Sequence, residues 1–209
     1  MATTNEDLCN IALSRIGVSS NPISDLTTDA STEADMCNLH LTLVIKRIMR
    51  QHDWPFTKAY IQPTLVVAAS PSLTWASDYS YTYRYPANCL RIRRLVGGGR
   101  RSTTRRPYEI GSDATGRLIY CDIDDDDIIV EYTLANATNL DPDSWHPDFL
   151  SVVAWLLAYE LAIALEVEQK YADRALQMFR LELTEAARNA GNEAEAEDDP
   201  DSEFIRARE

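Results

Sequence analysis

The sequence predicts an α+β fold in which two helical regions flank an antiparallel β region and an acidic arm follows. Three observations carry this. Apolar residues recur at helical spacing up to about residue 51, and again from residue 145. Between these regions the period drops to two, and Gly, Pro, Asn and Asp cut the chain into short runs. Past residue 191 no apolar period survives. The segments are therefore 1–56 (helices), 57–135 (β domain), 136–191 (helices) and 192–209 (arm).

The first helix is written in TNEDLCNIALSRIG. Thr4 and Asp7 form a capping box, Leu8, Ile11, Ala12 and Ile16 share a face, and Gly17 stops the run. SNPISDLTTD is a loop. The second helix, TEADMCNLHLTLVIKRIMRQH, offers another box, Thr32 with Asp35. Its expected stripe is Met36, Leu39, Leu43, Ile48 and Met49, widened by Val44 and Ile45. At about 1.5 Å per residue it is roughly 30 Å long.

Pro55 ends that run and the alternation begins. In YSYTYRY the tyrosines 79, 81, 83 and 85 face one way and Ser80, Thr82 and Arg84 the other, which reads as a half-buried strand packing its tyrosine face on helices. CLRIRRLV, RPYEI, RLIYCD and DIIVEYTLA continue the region, giving an expected antiparallel sheet of about five strands.

HPDFLSVVAWLLAYELAIAL then opens the second helical region, with one helix over 145–166 and another over about 168–190. Asp143 and Ser144 offer the N-cap, and Pro147 fits the first turn, where its missing N–H has no partner to lose. Glu160 is the only charge between Phe149 and Leu165. A membrane span needs about 20 apolar residues, and this run is slightly short. A buried helix of a soluble protein is the better reading, and an apolar surface on every side must be covered on every side. A subunit contact is thus plausible, and Phe149, Trp155 and Leu156 are expected in the helical core or at such a contact. The last helix carries Tyr171, Ala175, Phe179 and Leu183 on one stripe and is expected to end at Gly191.

Residues 192–203 hold seven acids and no base, so alone they are expected to be disordered. The following FIRARE is different. Phe204 and Ile205, with Arg206 and Arg208 behind them, suit a partner pocket rather than a solubilising tail.

The formal net charge of −13 argues against a general nucleic-acid binder, because phosphate neutralisation needs a basic face. MATTNEDLCN has no basic stretch leading into an apolar run, so no signal peptide is expected. Cys9, Cys37, Cys89 and Cys121 are widely spaced and read as reduced, mostly buried thiols, not as a disulfide frame or zinc site.

Catalytic patterns are missing. There is no G-x-G-x-x-G, no P-loop, no G-x-S-x-G and no H-E-x-x-H. His146 and Asp148 at i and i+2 would diverge on a helix, so they read as helix-start polarity. The DIDDDD run at 122–127 fails the EF-hand template, since Asp127 stands where Gly is needed and Thr133 where Glu is needed. It reads as a solvated hairpin turn. The glycine-rich GGGRRSTTRRPY leaves three readings open for Arg100, Arg101, Arg105 and Arg106: a solvated hairpin tip, docking on an acidic protein neighbour, or DNA contact. No aromatic residue is interleaved among these arginines to stack bases, which weighs against the last.

Five stretches occur in a telling order: LCNIALSRIG, HDWPFTKA, YTYRYPANCLRIRRL, GRLIYCDIDDDDIIVEYT and WHPDFLSVVAWLLAYELAIAL. Together, over roughly residues 4–190, they resemble the tail tubular protein A family, the head-to-tail adaptors of tailed bacteriophages. The Tyr–Pro–Ala–Asn–Cys–Leu turn and the HPDF helix start carry most of the match. The resemblance implies a four-helix bundle with an inserted antiparallel β domain and an extended C-terminal arm. It implies a ring, typically of twelve copies, between the portal protein and a downstream tail or nozzle protein, with DNA passing through the lumen unbound. It implies no enzymatic activity. The arm of such proteins commonly reaches the portal, which gives Phe204, Ile205, Arg206 and Arg208 their expected role. The four loop arginines would then contact a neighbouring subunit or the tail. No cofactor, metal or membrane partner is expected, and the expected location is the virion head–tail junction after synthesis in the bacterial cytoplasm. The competing expectations are another phage neck, completion or assembly protein, and a small hydrolase built on an Asp/His site.

Overall fold

Thr4 opens helix α1 (Asn5–Arg15): its side chain accepts from the Asp7 N–H while the Asp7 carboxylate accepts from the Thr4 N–H, as the capping box requires. This computed structural model describes residues 3–18, 22–68, 79–97, 106–124 and 127–193. α1 ends in a Schellman motif. The Val18 N–H reaches Leu13 O and the Gly17 N–H reaches Ser14 O, with Gly17 at φ 79°. Leu8, Cys9, Ala12, Leu13 and Ile16 are buried, whereas Ile11 stands exposed. The expected face is thus rotated toward Cys9 and Leu13.

Asn10 clamps the following loop by donating to Ile23 O and accepting from the Ile23 N–H. Helix α2 (Thr32–Gln51) is capped by Ser31, whose hydroxyl accepts from the Ala34 N–H. The expected Thr32–Asp35 box is therefore one residue late: the Asp29 carboxylate accepts from the Ser31 N–H and fixes Ser31 at the cap. The buried stripe is Ala34, Cys37, Leu41, Val44, Ile45, Ile48 and Met49. Leu39 and Leu43, expected in the core, are 59% and 64% exposed.

A 3-10 turn (Pro55–Thr57) leads into the β region, which among the described residues has seven strands: β1 (Lys58–Ile61), β2 (Leu65–Ala68), β3 (Tyr81–Arg84), β4 (Cys89–Val96), β5 (Glu109–Asp113), β6 (Gly116–Cys121) and β7 (Ile129–Leu134). They form two antiparallel sheets, ordered β1-β7-β4 and β2-β3-β6-β5, rather than one sheet of five. β1 and β2 are short, with β1 largely exposed, so no clean alternation marks them. The chain changes sheet four times, between β1 and β2, β3 and β4, β4 and β5, and β6 and β7. The Tyr85–Cys89 turn makes the second of these crossings with Asn88 at φ 56°. Tyr83, Ile92, Leu95, Ile119, Cys121, Val130 and Tyr132 form one apolar cluster drawn from both sheets. The tyrosine face of β3 therefore packs within the β region, not on helices, and Thr82 on the opposite face is buried as well. At Gly111 a Cβ would lie 2.5 Å from a ring carbon of Tyr120, so only glycine admits that ring.

Helix α3 (Pro147–Ala164) starts two residues later than expected. Asp143 and Ser144 lie in a preceding 3-10 turn (Pro142–Ser144), and His146 takes the cap position without a side-chain cap bond. α3 ends in a second Schellman motif with Glu166 at φ 53°. Helix α4 (Gln169–Glu193) runs through Gly191 instead of stopping there. Its Ala175 and Phe179 are buried and Tyr171 and Leu183 partly so, as the expected stripe requires.

α1, α2 and α4 all pack on α3. Phe149 and Leu156 are buried in this core, and Trp155 is half-buried with the Arg15 guanidinium 4.0 Å over its ring. One chain thus covers most of the apolar helix. Among the described residues α3 is the one helix long and apolar enough to cross a membrane by length and composition, yet more than half of it, 56%, is buried inside the chain.

Candidate functional site

The helical and β regions meet where α2 ends. Trp54 is buried, donates its indole N–H to Ile48 O, and meets the edge of Phe149 at 4.8 Å between ring centroids. Phe56 and Trp145 approach the same phenylalanine at 4.9 Å each, again edge to face. Next to this cluster the Arg93 side chain, only 6% exposed, donates to Trp54 O and to the Thr57 and Thr133 hydroxyls and pairs with Asp53. Burial lowers the Arg93 pKa, while Asp53 and Glu131 oppose that. Glu131 in turn takes Arg94 at 2.6 Å and Lys58 at 3.7 Å. These groups lock the sheet carrying β7 to the end of α2.

A cavity of about 190 Å³ opens beside the aromatic cluster. Trp54, Pro55, Phe56 and Phe149 form its wall, Ala186 and Ala190 of α4 its side, and Ser144, His146, Asp148 and Asn189 its rim. Asn189 donates to the Asp148 carboxylate at 2.7 Å. His146 and Asp148 do not diverge as expected, because His146 caps α3 in extended backbone, but Nδ1 to Oδ2 is 4.0 Å. That exceeds hydrogen-bond reach. The Ser144 hydroxyl donates to the Asp141 and Thr138 carbonyls. Serine, histidine and aspartate thus share one rim, with the Ser144 hydroxyl directed to backbone carbonyls.

Among the described residues no group of three or more His, Cys, Asp or Glu could hold a metal ion. The acidic run at 122–127 is not a hairpin turn, since β6 and β7 lie in different sheets. Residues 125 and 126 fall outside the described residues, and Asp122 accepts from the Ser80 N–H. The arginine-rich stretch lies between β4 and β5, which belong to different sheets, and residues 98–105 of it fall outside the described residues. Arg106 is exposed, and Arg100, Arg101 and Arg105 lie outside the described residues. So do Phe204, Ile205, Arg206 and Arg208.

The four cysteines are free. Cys9 on α1 and Cys37 on α2 come together in the helical core, and the hydrogen bond between the thiols, followed by burial, pushes Cys9 far above its ordinary pKa. Such thiols are inert at neutral pH.

The helices also carry an apolar surface that sequence periodicity had placed inside. Leu39, Leu43 and Arg47 lie on successive turns of α2, and Arg47 bridges to Glu160 of α3 at 3.1 Å. Trp54 meets Phe149 at the other end of the pair, so α2 and α3 run antiparallel and Ile163, 54% exposed, comes toward the level of Leu43. Leu39, Leu43 and Ile163 are thus large aliphatic side chains exposed on the two helices that this ion pair joins.

No protein-family model matches the chain, and no curated protein is detectably similar to it.

Proposed function

We propose that this chain is the head-to-tail adaptor of a tailed bacteriophage, a non-enzymatic subunit that forms a ring between portal and tail. The observation that carries the reading is the exposure of Leu39, Leu43 and Ile163 on the two helices joined by the Arg47–Glu160 pair. A cyclic ring needs two different surfaces per subunit, and this is a ready candidate for one of them. In the same reading the four helices are a bundle with α3 at its centre, into which the two-sheet β domain is inserted.

The motifs that resemble tail tubular protein A fall at the joints of the fold. HDWPFTKA supplies Trp54, Phe56 and the turn into β1, the YPANCL turn makes the sheet crossing from β3 to β4, and WHPDF brings Trp145 and Phe149 to the aromatic cluster. A net charge of −13 per subunit suits a lumen through which DNA slides without sticking. In this proposal Phe204, Ile205, Arg206 and Arg208 engage the portal, and Arg100, Arg101, Arg105 and Arg106 meet a neighbouring subunit or the tail protein. No cofactor or membrane takes part, and the protein works at the head–tail junction of the virion.

The test is native mass spectrometry of the purified chain, alone and with portal. A complex several-fold larger than 23.6 kDa supports the ring. A chain that stays monomeric with portal present, at micromolar concentration, refutes it. The Leu39→Ser/Leu43→Ser variant should keep its helical circular dichroism and lose assembly.

A further inference from the structure

The outer face of α2 matches itself when the helix is turned end over end. Leu39 and Leu43, 59% and 64% exposed, form its middle. At about 100° per residue they stand roughly 40° apart round the helix. Asp35 and Lys46 flank them on one side and Arg47 and Glu33 on the other, each within about 80° of the nearer leucine. Asp35 and Arg47 are exposed, and Glu33 and Lys46 are half-buried. Among the described residues none forms an ion pair with Glu33, Asp35 or Lys46. Arg47 gives one amino group to Glu160, and with its side chain 59% exposed it keeps donors for a second acid.

We infer that the free chain pairs with a second copy of itself through α2, the two helices antiparallel and related by a two-fold axis beside residue 41. Residues equally far before and after that midpoint then meet. Leu39 and Leu43 lie about 3 Å to either side of it, so Leu39 packs on Leu43 of the second copy. Asp35 lies about 9 Å before the midpoint and Lys46 about 7.5 Å after it, while Glu33 lies about 12 Å before and Arg47 about 9 Å after. A two-fold axis perpendicular to both helices brings like flank to like flank. Asp35 therefore meets Lys46 of the second copy, and Glu33 meets Arg47. The long stems of Lys46 and Arg47 cover the remaining offsets of about 1.5–3 Å. Charge also selects the orientation. Parallel helices would bring opposite flanks together, with Asp35 beside Glu33 and Lys46 beside Arg47, like charges at both ends. Acids early and bases late in a helix complement its macrodipole, but the macrodipole gives no reason for two exposed leucines between them. A two-fold contact uses one patch on both copies and closes on itself. The pairing stands apart from the adaptor reading and bears on it: the pair covers Leu39 and Leu43, so it competes with a ring contact for the same side chains.

The experiment is sedimentation equilibrium of the full chain, alone, over a range of concentrations. The expected species is a pair of twice 23.6 kDa in equilibrium with the single chain. Asp35→Lys and Lys46→Asp should each weaken the pair about tenfold or more, because each sets two like charges side by side. The double variant Asp35→Lys/Lys46→Asp should restore pairing to near the parent, since opposite charges meet again with their places exchanged. All three should keep the helical circular dichroism of the parent. A parent chain that stays single at about 0.1 mM overturns the pairing. So does a double variant that pairs no better than the single ones. Tighter pairing of Asp35→Lys alone overturns the antiparallel register, because that is the sign parallel helices give. Failure of the adaptor reading looks different: the pair forms and exchanges charges as stated, yet portal drives no ring. A ring with portal and no pair without it leaves the adaptor reading standing and removes the pairing.

Discussion

Replacing Phe149 by Ala should cost about 3–5 kcal/mol, in the upper half of that range. Phe149 is 1% exposed and is the common partner of Trp54, Phe56 and Trp145, all edge to face. Each such pair is worth about 0.5–1.5 kcal/mol beyond simple burial. The site also collapses poorly. The Trp54 indole is tied to Ile48 O at 3.0 Å and the Trp145 indole to Asn139 O at 2.7 Å, so neither ring can swing into the vacated space. The neighbouring cavity would merge with the new void rather than fill it. Phe149→Leu keeps much of the volume but none of the ring edges, and should cost about 1–2 kcal/mol. The assay is urea unfolding followed by tryptophan fluorescence and circular dichroism, with the slope m compared between variants. For a domain whose total stability is about 5–15 kcal/mol, the alanine variant should unfold at much lower denaturant. A loss below about 1.5 kcal/mol at unchanged m would show that Phe149 is not the pinned centre of the joint.

Four further outcomes are expected. Leu156→Ala, at a fully buried position, should cost about 2–5 kcal/mol, whereas Trp155→Ala, half-buried under Arg15, should cost less; paired denaturation curves decide the order. Glu166→Gly should raise stability by about 1 kcal/mol, seen as a higher melting temperature, because Glu166 holds a left-handed conformation at the end of α3 that glycine adopts without strain. The Arg84 guanidinium first, then the Thr115 hydroxyl and the Thr115 and Gly116 N–H groups, holds the Asp113 carboxyl well below the usual carboxylate range. A depressed folded pKa gives stability that is present above about pH 4 and lost as pH falls through the folded value; backbone NMR of the β5–β6 turn should loosen in strong acid, and in Asp113→Asn already at pH 6. Arg93→Met should cost about 1–3 kcal/mol in urea unfolding, because it removes the donor that serves Thr57, Thr133 and the Trp54 carbonyl.

The α+β class and the approximate positions of the described helices were legible because apolar residues recur at helical spacing, and α1 also because its cap and its Schellman end are local chemistry. Thr4 with Asp7 and Gly17 at its left-handed stop are readable from neighbours three or four residues apart. The exact face of a helix is less local. In α2 the apolar positions exceed what one face can hold, and only the partner helix decides that Leu41 goes in while Leu39 and Leu43 stay out. The division into two sheets was not legible. Strand periodicity reports alternation and says nothing of which strand is hydrogen-bonded to which, so β6 and β7 read as a hairpin although the chain passes between sheets there. The site was half legible. Trp54, Phe56 and Phe149 stood in quoted motifs, but their meeting with Ala186 and Ala190 depends on how α4 returns along α3.

The joint between the helical and β regions is built from directional polar bonds as well as apolar packing. Arg93 is charged and almost wholly buried, which is costly unless every donor is used. Its partners come from three places in the chain: Asp53 and Trp54 after α2, Thr57 before β1, and Thr133 on β7. An apolar residue could fill the volume, but it could not fix three segments at defined angles, because dispersion is indifferent to direction whereas a guanidinium fork is not. The aromatic cluster adds the apolar half of the same joint, with Phe149 carrying it into α3. A subunit whose β domain must keep its angle to its helices, as repetition around a ring would demand, needs a joint of this kind. The Arg93→Met chain therefore has a second expected defect besides lower stability: amide hydrogen exchange in β1 and β7 should quicken more than in α1, which shares no bond with the joint. Uniform acceleration throughout the chain would mean that Arg93 contributes to overall stability alone and holds no particular angle.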